Sequence, residues 1–218
     1  MKLKRYLTES KTKQEIIETL EKDCKPFISK MGKSRILLRG SRRANPDGII
    51  KLSPRSDRKP LSTNPGIQKI IDEVFQSEFG WKPRSTGLFC TTVFNTALFY
   101  GQTNSIWPIG PFKFLWSQKI SDFFSWISDV SPTEYSQLIK GSITNLTPGE
   151  ASDPEVIKKV KEILKKAVDQ YTDKNLSKAL NSNSEIMIGC KNYYMVSEEF
   201  KADLQKHFKV GSSRISWS

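Results

Sequence analysis

The stretch Ser182–Val196, SNSEIMIGCKNYYMV, places a single acid, Glu185, at the head of the apolar run Ile186-Met187-Ile188. A short apolar run bounded by Ser and Asn reads as a buried strand. Gly189–Asn192 then reads as a turn, and Tyr193–Val196 as an aromatic return. Ionised glutamates are seldom buried without a task. Glu185 therefore either sits at the wet end of its strand or is placed there for chemistry.

Upstream of it, Asp153-Pro154 opens a helix through Tyr171, with a capping carboxylate before a proline at the first helical position. Val156, Ile157, Val160, Ile163, Leu164, Ala167 and Val168 recur at helical spacing there, so the intervening lysines form its wet face. NLSKALNSN reads as a short helix or loop. Downstream, SEEFKADLQKHF predicts a helix and KVGSSRISWS a terminal strand.

Toward the N-terminus, residues 11–23 predict a helix, and SRILLRG a buried strand stopped by Gly40. Residues 41–64, rich in Pro, Gly, Ser and Arg, read as one long loop. Asn64-Pro65 starts a helix with Ile67, Ile70, Ile71, Val74 and Phe75 on its core side. STGLFCTT predicts a strand and VFNTALFYG a short helix or turn. Pro108 and Pro111 make NSIWPIGPFKFLWS an irregular or edge strand. KISDFFSWISDV and SPTEYSQLIKG predict short helices, joined to the lysine-rich one by the connector 142–153. Helices and strands mix without βαβ alternation, so the expected class is α+β. We expect one mixed domain over residues 1–218, with 1–30 as an N-terminal helical segment.

A chain of 218 residues buries one sizeable core. Its longest apolar runs are far too short to span a bilayer, and the start, MKLKRYLTES, lacks the apolar stretch of a secretory signal. Three cysteines without paired spacing suit a reducing compartment, and the lone His207 argues against a zinc site. The expected localisation is the cytoplasm, with no membrane partner and no metal. A net charge of +12 attracts anionic partners. Five arginines fall within residues 39–58, a cluster that solubility explains poorly.

Three constellations carry candidate chemistry. Arg39, at the end of ILLRG, presents a planar fork suited to phosphate or carboxylate, or else pairs with a core acid. Thr91 and Thr92 either hold a ribose and orient an acid, or turn the chain into the following helix. The aromatics of that helix, Phe94, Phe99 and Tyr100, either stack on a heterocycle or are core. Glu185 is the third.

In this order the three resemble the ADP-ribosyltransferase superfamily, and in particular the small phage-encoded mono-ADP-ribosyltransferases. LLRG with Arg39 and Gly40, FCTTVFNTALFY with Cys90-Thr91-Thr92 and Ala97, and NSEIMIGCKNYYMV with Glu185 correspond to that family's arginine, Ser-Thr-Ser and glutamate motifs. Two positions depart from the pattern. Cys90 replaces the first hydroxyl, and Asn183 stands where protein-modifying members carry Glu or Gln.

The resemblance implies a split, mainly antiparallel β core flanked by helices, with NAD as co-substrate and no other cofactor. It implies that Glu185 stabilises the positive charge that builds on the ribose as nicotinamide leaves. Arg39 would clamp the diphosphate or adenosine ribose, and Thr91 and Thr92 would orient Glu185 and the nicotinamide ribose. Gly40, Arg42, Arg58, Cys90, Phe94, Tyr100 and Asn183 complete the expected dinucleotide contacts, and the arginine-rich loop with Arg42, Arg43, Arg55 and Arg58 either adds phosphate contacts or meets an anionic acceptor. The expected acceptor is anionic, either nucleic acid or a protein bound to it, in the host bacterial cytoplasm if the chain is phage-encoded. Two alternatives stay open: a catalytically silent basic protein that binds nucleic acid or a partner, and an NAD glycohydrolase.

Overall fold

A computed structural model of the chain describes residues 12–43, 45, 48–55, 64–129, 143, 146–147 and 149–211. The helices are α1 (Lys13–Asp23), α2 (Lys25–Met31), α3 (Pro65–Phe79), α4 (Pro83–Thr86), α5 (Phe94–Phe99), α6 (Phe123–Asp129), α7 (Pro154–Val168), α8 (Leu176–Asn181) and α9 (Lys201–Phe208). The strands are β1 (Leu38–Ser41), β2 (Ile49–Leu52), β3 (Leu88–Cys90), β4 (Gln102–Ser117), β5 (Tyr171–Thr172) and β6 (Ile186–Ser197). They form one six-stranded sheet in the order β1-β4-β6-β2, with β3 paired to β6 and β5 to β4. The registered pairs are antiparallel, and the class is mixed α+β with helices flanking the sheet.

The chain divides into two compact units that share strands β3, β4 and β6. The first holds the residues up to Ser53, Cys90–Phe112 and those from Cys190 on; the second holds Pro54–Phe89 and Lys113–Gly189.

In the first unit, α1 starts where the Thr12 side chain and the Glu15 carboxylate cap one another's backbone N–H groups. Its apolar face buries Ile16, Ile17 and Leu20. Phe27 of α2 meets the Trp107 ring edge-on at 6.0 Å, and Phe208 of α9 closes on the same ring at 5.1 Å. Trp107 is fully buried, and its indole N–H donates to Ser105 Oγ at 2.9 Å, so its one polar atom is satisfied.

In the second unit, α3 and α7 pack together. Asn64 caps the first, and Asp153 caps the second by accepting from the N–H groups of Glu155 and Val156. Phe75 lies 5.4 Å from the Phe123 ring and 5.3 Å from the Tyr171 ring, at the centre of a core that also takes Ile67, Ile71, Val160, Leu164 and Met187.

Several expectations change. Gly40 does not stop β1 but lies inside it. A Cβ there would strike the Ala97 carbonyl oxygen and lie 2.8 Å from Tyr100 Cβ, so glycine lets α5 sit directly on the strand. The loop expected over 41–64 contains β2, whose Ile49–Leu52 pair with Tyr193–Val196. Pro108 and Pro111 do not push their segment to an edge, because β4 runs between β1 and β6. Both prolines fall between the residues paired to β1 (102–105) and those paired to β5 (116–117), where a missing N–H breaks no bond to either strand. The turn expected at Gly189–Asn192 is absent, since β6 runs unbroken from Ile186 to Ser197. Gly189 instead makes room for the Trp81 ring, whose Cζ3 would be 2.7 Å from an added Cβ. Helices α2 and α4 were not anticipated. The helix expected at SPTEYSQLIKG and most of the terminal strand lie outside the described residues; Gly211 forms a parallel bridge to Arg35.

Candidate functional site

The first unit gathers most of the candidate residues. Arg39 lies on β1 opposite Asn104, a register in which the two side chains share one face of the sheet. Asn104 is fully buried, and its Oδ1 has no hydrogen-bond partner among the described residues. Arg39 is half-buried, and its positive charge reaches the hydroxyl of buried Tyr193, opposing the rise that burial gives that group.

Next to Arg39, the backbones of Leu38 and Thr91 exchange two hydrogen bonds. Leu38 N–H donates to the Thr91 carbonyl at 2.7 Å, and Thr91 N–H to the Leu38 carbonyl at 2.9 Å. This bridge fixes the hydroxyl pair against the strand that carries the guanidinium. Cys90, Thr91 and Thr92 are all buried. Thr91 Oγ1 accepts from Val93 N–H at 3.1 Å, so it helps turn the chain into α5.

Of the three aromatics of that segment, none is core. Phe94 is half-buried under the Lys201 ammonium, 4.7 Å from the ring centroid. Phe99 is 83% exposed and Tyr100 62%. Only Ala97 of α5 is buried, because a helix of six residues resting on a glycine offers the strand one small face. Arg42 is exposed just after β1; Arg55 is exposed too, and Arg58 lies outside the described residues.

Glu185 and Asn183 belong to the second unit, where Asn183 is exposed. Glu185 does not point into open water. Its side chain is 15% exposed, and Oε1 lies 3.5 Å from Nη1 of Arg84, itself 12% exposed. Its backbone N–H donates to the Ser121 carbonyl at 2.7 Å, which pins the residue just before β6 begins.

The sequence gives no hint that an arginine 101 residues away stands beside this acid. The Arg84 guanidinium lies 4.4 Å from the Phe89 ring centroid and 5.4 Å from that of Phe123. Asp72 holds its backbone. The carboxylate accepts from the N–H groups of Arg84 (3.0 Å) and Ser85 (3.4 Å) and from the Ser85 hydroxyl. Burial raises the Asp72 carboxyl above the usual aspartate range, and these hydrogen bonds partly offset the rise. An acid on the apolar face of α3, between Ile71 and Phe75, is the one sequence signal that could have revealed this arrangement.

Two buried donors near Glu185 lack a partner among the described residues: Arg84 Nε and the Tyr171 hydroxyl. Burial keeps that hydroxyl protonated, and the negative charge of Glu185 adds to the effect. Unmet buried donors are costly unless something else meets them. A partly buried carboxylate, a stacked guanidinium and a protonated phenol thus provide an acceptor and donors for a polar, hydroxyl-bearing ligand. No protein-family profile, curated protein or solved structure matches this chain.

Proposed function

We propose that this chain is a mono-ADP-ribosyltransferase that breaks the nicotinamide–ribose bond of NAD and passes ADP-ribose to an anionic macromolecular acceptor, a nucleic acid or a protein bound to one. The observation that supports it most is the Leu38–Thr91 bridge, which holds Thr91, just past the end of β3, beside the strand that carries Arg39.

In this reading Arg39 binds the diphosphate as a fork of donors, and Thr91 and Thr92 hold the nicotinamide ribose. The Glu185 carboxylate accepts a hydrogen bond from a ribose hydroxyl and stabilises the positive charge that grows on the sugar as the bond lengthens. The electron pair of that bond leaves with nicotinamide, which departs neutral, so no strong acid is needed. The acceptor nucleophile then bonds to the ribose carbon and releases its proton to solvent.

Incubating wild type and Glu185→Gln with NAD tests this. Release of nicotinamide should fall by about 100-fold or more in the variant, on the scale of losing one transition-state contact, with the circular dichroism spectrum unchanged. Equal release by both proteins refutes the proposal. Labelled NAD in a lysate, digested by nuclease and by protease in parallel, separates a nucleic-acid acceptor from a protein one.

A further inference from the structure

We infer that the tip of α5 and the arginine pair after β1 form a docking surface for single-stranded nucleic acid. Leu98 (52% exposed), Phe99 (83%) and Tyr100 (62%) are the large apolar side chains left exposed among the described residues, and they are consecutive. Scattered exposed apolar residues need no explanation, but three in a row at a helix end mark a contact surface. The two rings meet at right angles with centroids 5.2 Å apart, so each limits the motion of the other while most of Phe99 stays uncovered.

Cationic groups follow immediately on the neighbouring strand. Ser41 pairs with Gln102 at the end of the β1–β4 ladder. A Cβ on Gly101 would lie 2.7 Å from the Ser41 carbonyl oxygen and 3.1 Å from Arg42 N, so the exit of α5 through Tyr100-Gly101 touches the place where β1 ends. Gly101 has φ +132°, a conformation that side-chain-bearing residues rarely adopt, and this allows the close passage. Arg43 N–H donates to Ser41 Oγ at 3.0 Å, which turns the backbone at the same point. Arg42 and Arg43 are both exposed, and neither forms an ion pair among the described residues.

Uncovered rings beside two exposed guanidinium groups call for a ligand that is both flat and anionic at short intervals. A single strand is such a ligand, because its unstacked bases present faces to the rings while its phosphates meet the arginines. A duplex hides its base faces in its own stack. An acidic peptide would satisfy the arginines and leave Phe99 without a planar partner. The net charge of +12 favours approach of a polyanion. The surface needs nothing from Glu185, but it shares Arg42 and Tyr100 with the expected dinucleotide contacts, so competition by NAD separates the two uses.

Fluorescence anisotropy with a labelled oligouridylate of roughly 12 nucleotides, within the span of single-strand sites, tests it alongside a duplex of equal length. Wild type should bind the single strand more tightly. Phe99→Ser, at a position too exposed to affect folding, should weaken binding by about 5-fold or more. The double change Arg42→Gln with Arg43→Gln should lower the slope of log affinity against log salt by about 1.4, at roughly 0.7 for each phosphate contact. Glu185→Gln should bind as wild type does. Binding unaffected by Phe99→Ser refutes the proposal, as does preference for the duplex. Displacement of the strand by NAD would assign the surface to the dinucleotide instead, and equal Phe99 dependence with polyglutamate would assign it to acidic peptides; either result overturns it.

Discussion

Arg84 and Glu185 meet at 3.5 Å with both side chains nearly out of water, and the guanidinium lies over the Phe89 ring. At that separation the interaction is mainly between charges, and the directional hydrogen bond is weak. Removing one member of a buried pair leaves the other charge poorly solvated, which usually costs more than the pair contributes. Arg84→Ala should therefore lower unfolding free energy by about 3 kcal/mol, read from urea melts. Arg84→Lys keeps the charge but loses the planar contact with Phe89, and should fall between the two. If Arg84 also positions Glu185 for NAD cleavage, Arg84→Lys lowers kcat for nicotinamide release and leaves KM nearly unchanged. A lysine variant as stable as wild type would mean that the ring contact contributes nothing.

Asp72 gives a pH signature. Its folded-state pKa is raised above the unfolded value, chiefly by burial, so the folded chain holds this proton more tightly. Between the ordinary aspartate value and the raised one, the folded state binds more protons, and stability falls as pH rises through that window. Below the window the contribution is fully present; above it the ionised carboxylate imposes its desolvation cost. Stability measured across the acid range should show this downward component in wild type and lose it in Asp72→Asn. Asp72→Ala should destabilise at every pH by about 1–3 kcal/mol, because the Arg84 and Ser85 donors lose their acceptor.

Gly40 and Gly149 provide a matched comparison. A Cβ on Gly40 meets the Ala97 carbonyl oxygen and Tyr100 Cβ, atoms close to the backbone that cannot swing aside, whereas among the described residues nothing lies within 4 Å of a Cβ on Gly149. Gly40→Ala should lift α5 from β1 and cost about 1–3 kcal/mol, with Gly149→Ala near neutral in the same thermal melts. Equal melting temperatures for the two variants would show that α5 yields freely.

How far the sequence foretold this arrangement depended on whether a signal was local. Caps and helical periodicity are local, and α3 and α7 follow the caps Asn64 and Asp153 as the residues indicate, while α1 starts at Lys13 where the periodicity placed its start at residue 11, and α7 ends at Val168 with Tyr171 opening β5 instead. Glycines and prolines misled because their reason lay elsewhere in the fold. Gly40 accommodates α5, Gly189 accommodates Trp81, and Pro108 and Pro111 use a gap between partner strands. The sequence placed a strand end at Gly40, whereas the bridge joins Leu38, where β1 begins, to Thr91, just after β3. Arg84 was not legible as a partner of Glu185, because that pairing depends on Asp72 holding α4 and on rings contributed by β3 and α6.

The thiols of Cys24 and Cys190 should be nearly inert in the folded protein. Burial pushes both up to about 12, with the Asp23 charge adding to the rise at Cys24. The thiolate is the reacting species, so at a pH near 8 only a minute fraction of either group attacks an alkylating reagent or an aromatic disulfide. Both pKa values return to the ordinary cysteine range on unfolding, so the folded state binds these protons through the alkaline range. Their contribution to stability is present below the ordinary thiol value and is lost as pH rises toward about 12. Aromatic-disulfide titration at a pH near 8 should leave both unlabelled over minutes in native buffer and label both at once in guanidinium, with mass spectrometry of the digest assigning each site. Rapid native labelling at Cys190 would show that β6 opens locally on that timescale, a motion at odds with its unbroken course from Ile186 to Ser197.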